Sequence, residues 1–244
     1  MKTSDRSHSE GLWPATPECR WSTALENLSA EELDAVHARL ARRHYDAHSC
    51  IYNAGDKPDA FFIVESGRIR MFWSRPSGDR FTLALWSAGY TVGLFSTLLD
   101  KERPVTVEAV EESVLLALPR KDLLALMETI PTLSMNLARL AASMASEVLT
   151  IASVRALDPA VARLGNVLAN VATREAGDDA APGLAVRGLS QEDLASMVGV
   201  SRTWLTLMLS KLEVNGLIKR KRMEILIHDI ESLQRFCQAW KSDR

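Results

Sequence analysis

Apolar positions along the chain change their period three times. Leu33, Val36 and Leu40 step by three and four, and Ser29 followed by Glu32 is an N-terminal capping pattern, so residues 25–40 read as a short helix. Between residues 43 and 118 the apolar positions fall into short runs: Phe61–Val64, Ile69–Trp73, Phe81–Trp86, Val105–Val107 and Val114–Leu118. Gly55-Asp56, Ser66-Gly67, Ser77-Gly78 and Ala88-Gly89 punctuate them. Turn signals at such intervals, between runs rich in Val, Ile, Phe and Trp, predict a meander that closes into an antiparallel β-roll, a barrel or jelly roll. From residue 120 to 156 the period becomes helical. Leu137, Leu140, Met144, Val148 and Ile151 form an a/d-type seam beside Ala141, Ala142 and Ala145. Such a helix either lies on the roll or pairs with a second copy. The small alanine flanks favour pairing, so Leu137, Leu140, Ala141, Met144, Val148 and Ile151 are the expected dimer interface. Pro159 marks a break, and residues 177–183 a loop between two further helical segments.

The segment LSQEDLASMVGVSRTWLTLMLSKLE, residues 189–213, reads as helix, glycine turn, helix. Ser190 with Asp193 caps the first helix, Gly199 supplies the turn and Ser201 caps the second. At about 100° per residue, Leu205, Met208, Leu209 and Leu212 share one face and must be buried. Arg202, Thr203, Thr206, Leu207 and Ser210 occupy the opposite face within an arc of about 140°. An exposed arc led by Arg with short hydroxyl side chains behind it suits a DNA major groove. Arg202, Thr203, Thr206 and Leu207 are the expected base contacts. Trp204 and Lys211 border the arc, where the phosphate walls would lie. The run Lys219-Arg220-Lys221-Arg222 then precedes Glu224–His228, a hairpin whose basic strand or tip forms the wing of a winged helix. Ser190, Ser201, Ser210, Lys211, Lys219, Arg220, Lys221 and Arg222 are the expected phosphate contacts, which add affinity and salt dependence but no sequence information. The whole predicts an α+β chain: a loose arm over 1–20, a sensor roll over 21–120, a dimerisation helix over 121–156 and a winged helix-turn-helix over 157–244.

Composition narrows the class without naming an activity. The chain has 244 residues, 47% hydrophobic and 25% charged, which is globular rather than disordered or fibrous. Its net charge of −2 hides an asymmetry: nine Lys/Arg against seven Asp/Glu from Ser190 onward, 20 against 24 before it. A local positive field in a neutral protein points to one polyanion-binding face. No apolar run approaches the ~18 residues of a membrane span, and the opening MKTSDRSHSE has no apolar core of a secretory signal. A cytoplasmic protein without a membrane partner is expected. Cys19, Cys50 and Cys237 are scattered and odd in number, so reduced thiols are expected rather than a disulfide framework.

With these motifs in order, the chain resembles the cyclic-AMP receptor protein / fumarate–nitrate reduction regulator family of bacterial transcription factors over nearly all of residues 25–230. Gly55-Asp56, Phe62-Ile63-Val64, Ser66-Gly67, Gly89, Gly93, Arg103, Val107 and Ala109 stand where that family's cyclic-nucleotide-binding fold has them. The resemblance implies a non-enzymatic homodimer on a palindromic operator in double-stranded DNA, with RNA polymerase as a further partner. It also implies an effector pocket at Gly93, Leu94, Arg103, Pro104 and Val148. There the sequence departs from the cyclic-AMP-binding members. Their Gly-Glu is Gly93-Leu94 here, and Leu cannot accept from a ribose hydroxyl. Their Arg-Ser is Arg103-Pro104, and Pro removes both hydroxyl and N–H donors. The long helix offers Glu147, Val148 and Leu149 where adenine would meet hydroxyls. Several lost buried hydrogen bonds at ~1–3 kcal/mol each mean that cyclic AMP is not the expected effector.

Three scattered cysteines exclude the family's usual four-cysteine iron–sulfur cluster. Haem stays open through His37, His44 or His48, as do a redox role of Cys50 or Cys237, a small anionic or apolar effector with Arg103 as counter-ion, and no ligand. The best-known members read DNA with an Arg-Glu pair and a second Arg; Arg202, Thr203 and Leu207 stand there, so a different operator is expected. Two readings from other classes fare worse. A cyclic-nucleotide-binding regulatory subunit acting on a partner protein leaves the winged helix unexplained. A cupin-type metalloenzyme needs histidines that the roll lacks after His48, so no metal site is expected.

Overall fold

The computed structural model describes residues 20–74, 80–176 and 184–240, which fall into two compact units divided between Glu147 and Val148. Residues 1–19, including Cys19 and most of the expected arm, the turn Ser77-Gly78, the loop over 177–183 and the side chain of Ile151 lie outside the described residues.

In the first unit, α1 (Trp21–Ala24) and α2 (Ala30–His37) precede the roll. Ser29 Oγ accepts from the Glu32 N–H and the Glu32 carboxylate accepts from the Ser29 N–H, which completes the box that starts α2. The strands are β1 (Ala41–Tyr45), β2 (Cys50–Tyr52), β3 (Ala60–Ser66), β4 (Ile69–Ser74), β5 (Arg80–Trp86) and β6 (Thr91–Val92), then β7 (Thr106–Ala109) and β8 (Ser113–Pro119) after the short helix α3 (Leu94–Leu99). They form two antiparallel sheets, ordered β1-β8-β3-β6 and β2-β7-β4-β5. Phe61, Phe62, Ile69, Leu94, Leu115 and Leu118 are fully buried in this unit. Gly67 turns β3 into β4 at φ +79°, where a Cβ would collide with Ser113 Oγ and the Glu112 carbonyl, so only glycine fits.

The helical stretch expected as one element is two. α4 (Arg120–Thr129) packs on β3 and β8. Ile130 then leaves helical geometry at φ −123°, ψ 88°, and α5 (Pro131–Leu157) begins. A residue before proline is pushed towards extended backbone, and proline is well suited to a first helical position. Leu133, Leu137 and Leu140 are fully buried, and Asn136 donates to the carbonyls of Ala24 (3.2 Å) and Glu26 (2.8 Å), tying α5 to the segment around α1. The expected dimer seam is therefore split. Leu137 and Leu140 belong to the core of their own chain, Ala141 and Met144 are half-buried, and Val148 is exposed. A second apolar row runs along the outside of α5: Met135 (57% exposed), Ala138, Ala142, Ala145 and Leu149 (70% exposed).

The second unit is built on α6 (Ala160–Ala176). β9 (Leu184–Arg187), α7 (Gln191–Val198), α8 (Arg202–Val214), β10 (Ile218–Lys221), β11 (Glu224–Ile227) and α9 (Ile230–Ala239) follow. The hairpin β10–β11 is the expected wing, and β9 extends it to a three-stranded sheet ordered β10-β11-β9. α9 closes on α6 where Gly165 meets Cys237; a Cβ at Gly165 would lie 2.8 Å from Cys237 Cβ and 2.9 Å from its sulfur. Among the described residues no helix is long and apolar enough to cross a membrane.

Candidate nucleic-acid interface

The interface starts from two serine caps. Ser190 Oγ accepts from the Asp193 N–H at 3.1 Å and donates to the Asp193 carboxylate at 2.7 Å, which fixes the start of α7. Gly199 ends α7 in the left-handed region at φ +76°, a conformation that favours glycine. Ser201 Oγ accepts from the Trp204 N–H at 3.2 Å and starts α8. Both serines sit at helix starts, and Ser190 is bound to Asp193 rather than free to meet a phosphate.

On α8 the helical phase is as the sequence predicts. Leu205, Leu209 and Leu212 are fully buried and Met208 nearly so. Arg202 and Thr203 are exposed, and Leu207 is 62% exposed. Thr206 and Ser210 depart from the expectation. Thr206 is half-buried, and its hydroxyl is directed at the Gln191 side-chain oxygen (2.8 Å) and the Arg202 carbonyl (2.9 Å). Ser210 Oγ donates back to the Thr206 carbonyl at 3.0 Å. Lys211 is exposed, with its ammonium 5.0 Å from the centre of the Trp240 ring, a cation–π contact.

The four basic residues of the wing divide into two kinds. Arg220 is tied to Glu213 of α8, its Nε and backbone N–H each 2.8 Å from a carboxylate oxygen. That backbone bond, with the Arg220 side chain, holds the Glu213 carboxyl below its usual value. Lys221 pairs with Glu224 at 3.2 Å, and Arg187 reaches the same carboxylate at 2.8 Å. Lys219 and Arg222 are left exposed and make no ion pair among the described residues. The basic run thus spends Arg220 on docking the wing and Lys221 on a pair within the hairpin, and presents Lys219 and Arg222. Between wing and helices lies a cleft of about 290 Å³, with Ser190, Gln191, Arg202, Arg220, Lys221, Arg222 and Glu224 on its polar side and Leu189, Leu194, Leu209, Met223 and Ile225 on its apolar side. Gln191 escapes sequence reasoning, because a residue next to a cap carries no signal that it will reach Thr206 fifteen positions on.

The roll residues expected to hold an effector are placed differently. Gly93 caps α3 at φ +84°, with a Cβ there colliding with the Arg103 guanidinium, and Leu94 is fully buried. Arg103, 2% exposed, donates to the Gly93 carbonyl (2.9 Å), Ser96 Oγ (2.7 Å), Thr97 Oγ1 (3.3 Å) and the Ala60 carbonyl. It also pairs with Asp59 at 3.7 Å and lies 4.3 Å from the Tyr52 ring centre. Burial lowers its pKa, while Tyr52, Asp59 and Asp56 act in the other direction. Arg103 is therefore a cross-link inside the roll and not an open counter-ion. Pro104 is exposed and its carbonyl accepts from Trp73 Nε1 at 2.9 Å; Val148 belongs to the second compact unit. His37, His44 and His48 are all exposed, and no cluster of metal-ligating side chains occurs among the described residues. Partial burial, then Asp56 and Glu108, raise the Cys50 thiol pKa, and burial pushes Cys237 up to about 12. Neither has the lowered pKa of a reactive thiolate.

Residues 42–130 match the cyclic nucleotide-binding domain model and residues 162–236 the Crp-like helix-turn-helix domain model. Over 198 residues the chain is 31% identical to the cyclic AMP receptor protein of Thermus thermophilus, covering 81% of this chain and 88% of that one. The solved catabolite activator protein of Thermus thermophilus superposes with a TM-score of 0.51 at 28% identity, covering 88% and 98% of the two chains. FixK2 of Bradyrhizobium japonicum, at 17% identity, shares the fold with a TM-score of 0.72 over 83% and 99%.

Proposed function

The chain belongs to the cyclic-AMP receptor protein / fumarate–nitrate reduction regulator family of DNA-binding transcription regulators, and within it we propose a homodimer that reads a palindromic operator and does not take cyclic AMP as effector. The observation that carries the DNA reading is the exposed arc Arg202, Thr203 and Leu207 beside a cleft lined by Arg222. With α8 in a major groove, Arg202 pairs with a guanine and Leu207 meets a thymine methyl. Lys219 and Arg222 neutralise phosphates. In a dimer the two copies of α8 enter successive grooves ~34 Å apart.

The row Met135, Ala138, Ala142, Ala145 and Leu149 supports the dimer. It steps by three and four, is exposed, and has the small residues that let two helices approach closely. The engagement of Arg103 supports the effector reading. A cyclic nucleotide would have to draw that guanidinium from four acceptors, with no carboxylate at Leu94 and no hydroxyl or N–H donor at Pro104 in return. The roll senses another molecule or none.

Selection from random duplex tests the proposal. We expect a palindrome containing a guanine whose loss matches that of Arg202, and an operator affinity unchanged by added cyclic AMP. Enrichment of no sequence would overturn the DNA reading; a tenfold tightening by cyclic AMP would overturn the effector reading alone.

A further inference from the structure

The bond between Thr206 and Gln191 links the two helices of the motif at the point where they face the cleft. Thr206 has one hydroxyl hydrogen, directed at the Gln191 oxygen and the Arg202 carbonyl. A hydroxyl that donates to Gln191 meets its carboxamide oxygen, so the amide nitrogen and its two N–H groups point elsewhere. Among the described residues nothing accepts from them, and Gln191 lines the cleft together with Arg202 and the basic wing.

We propose that Gln191 is a positioning residue for operator recognition: its oxygen holds Thr206 in α8, while its amide donates to a DNA backbone phosphate in the cleft. The proposal rests on the reading that α8 enters the major groove. Two observations favour a phosphate over a base edge. The two amide N–H groups of Gln191 are donors, and a phosphate presents acceptors alone. Four cations, Arg202, Arg220, Lys221 and Arg222, line the cleft against one carboxylate, Glu224, which already pairs with Arg187 and Lys221, so an anion suits it. The first helix of such a motif crosses the backbone while the second lies in the groove. Gln191 therefore transmits the position of one phosphate to the recognition helix, and its loss should cost discrimination as well as affinity.

The test uses the full-length chain, its selected operator and a random duplex of equal length, with binding followed by fluorescence anisotropy. Gln191→Ala should weaken operator binding about tenfold, the scale of one charge-assisted hydrogen bond, and lower the ratio of operator to random affinity. Gln191→Glu keeps the oxygen for Thr206 but loses the donors. It should bind operator more weakly still, while its melting temperature holds or rises, since an acid in the first turn suits α7. Thr206→Val combined with Gln191→Ala should bind no more weakly than the weaker single variant, because both remove one coupled unit. The inference is overturned if Gln191→Ala stays within twofold of the parent, if Gln191→Glu binds as the parent does, or if the two losses simply multiply. A parent chain that binds operator and random duplex alike overturns the groove reading, and this inference with it.

Discussion

Arg202, Arg220 and Arg222 line one cleft yet should respond to truncation in three ways, because each guanidinium starts from different partners. Arg202 is exposed ahead of the recognition arc, so Arg202→Ala should cost ~1–3 kcal/mol and relax preference at one base pair, as read by competition with single-substituted operators. Arg222→Ala should weaken all duplexes alike and reduce the salt slope by about one. Arg220 is already held by Glu213, so its loss should loosen the wing, seen as faster amide exchange in β10, more than it flattens the slope. The Glu213 carboxyl titrates lower in the folded chain than its reference value of 4.5. The anchor is therefore complete above that value and is lost as pH falls through the lowered one. The protection factor of the Arg220 amide should be high at neutral pH and fall in acid. The phase of α8 was legible, because burial of Leu205, Leu209 and Leu212 leaves Arg202 one side to face. The Glu213–Arg220 pair was not, since it depends on how the hairpin folds back on its helix.

At the scale of elements, α5 carries two apolar rows, and periodicity alone does not say which one the roll covers. Leu133, Leu137 and Leu140 are the larger residues and fill the core, while the alanine-rich row remains outside. The seam expected from Leu137 to Ile151 starts in the buried row and reaches exposed Val148, because burial inside a chain and between chains asks for the same residue types. Leu149→Glu should shift sedimentation towards monomer by at least tenfold in dissociation constant, with little change in helix content. Leu137→Ala, a cavity in the chain's own core, should instead cost ~2–5 kcal/mol of stability. The apolar strands of the roll were legible from their turns. β1, with sequence ARRHY, was not: it is an exposed edge strand without alternation, marked as a strand by its pairing with β8.

For the molecule as a whole, the family and the order of its parts follow from sequence, whereas the interior of the roll follows from where one arginine points. Arg103→Ala would leave several buried acceptors without a donor, at ~1–3 kcal/mol each, so the melting temperature should fall by at least about 5 °C. Arg103→Lys should not restore it, because a single ammonium cannot span the same acceptors. A final consequence comes from the close fit of Gly165 against Cys237. That sulfur is shut away from reagents and is held as the neutral thiol, with its pKa near 12. Maleimide should spare it while α6 and α9 stay together, and mark it once they part. The chain thus carries its own chemical clock for the opening of the half that meets DNA, readable as the mass that maleimide adds to one peptide.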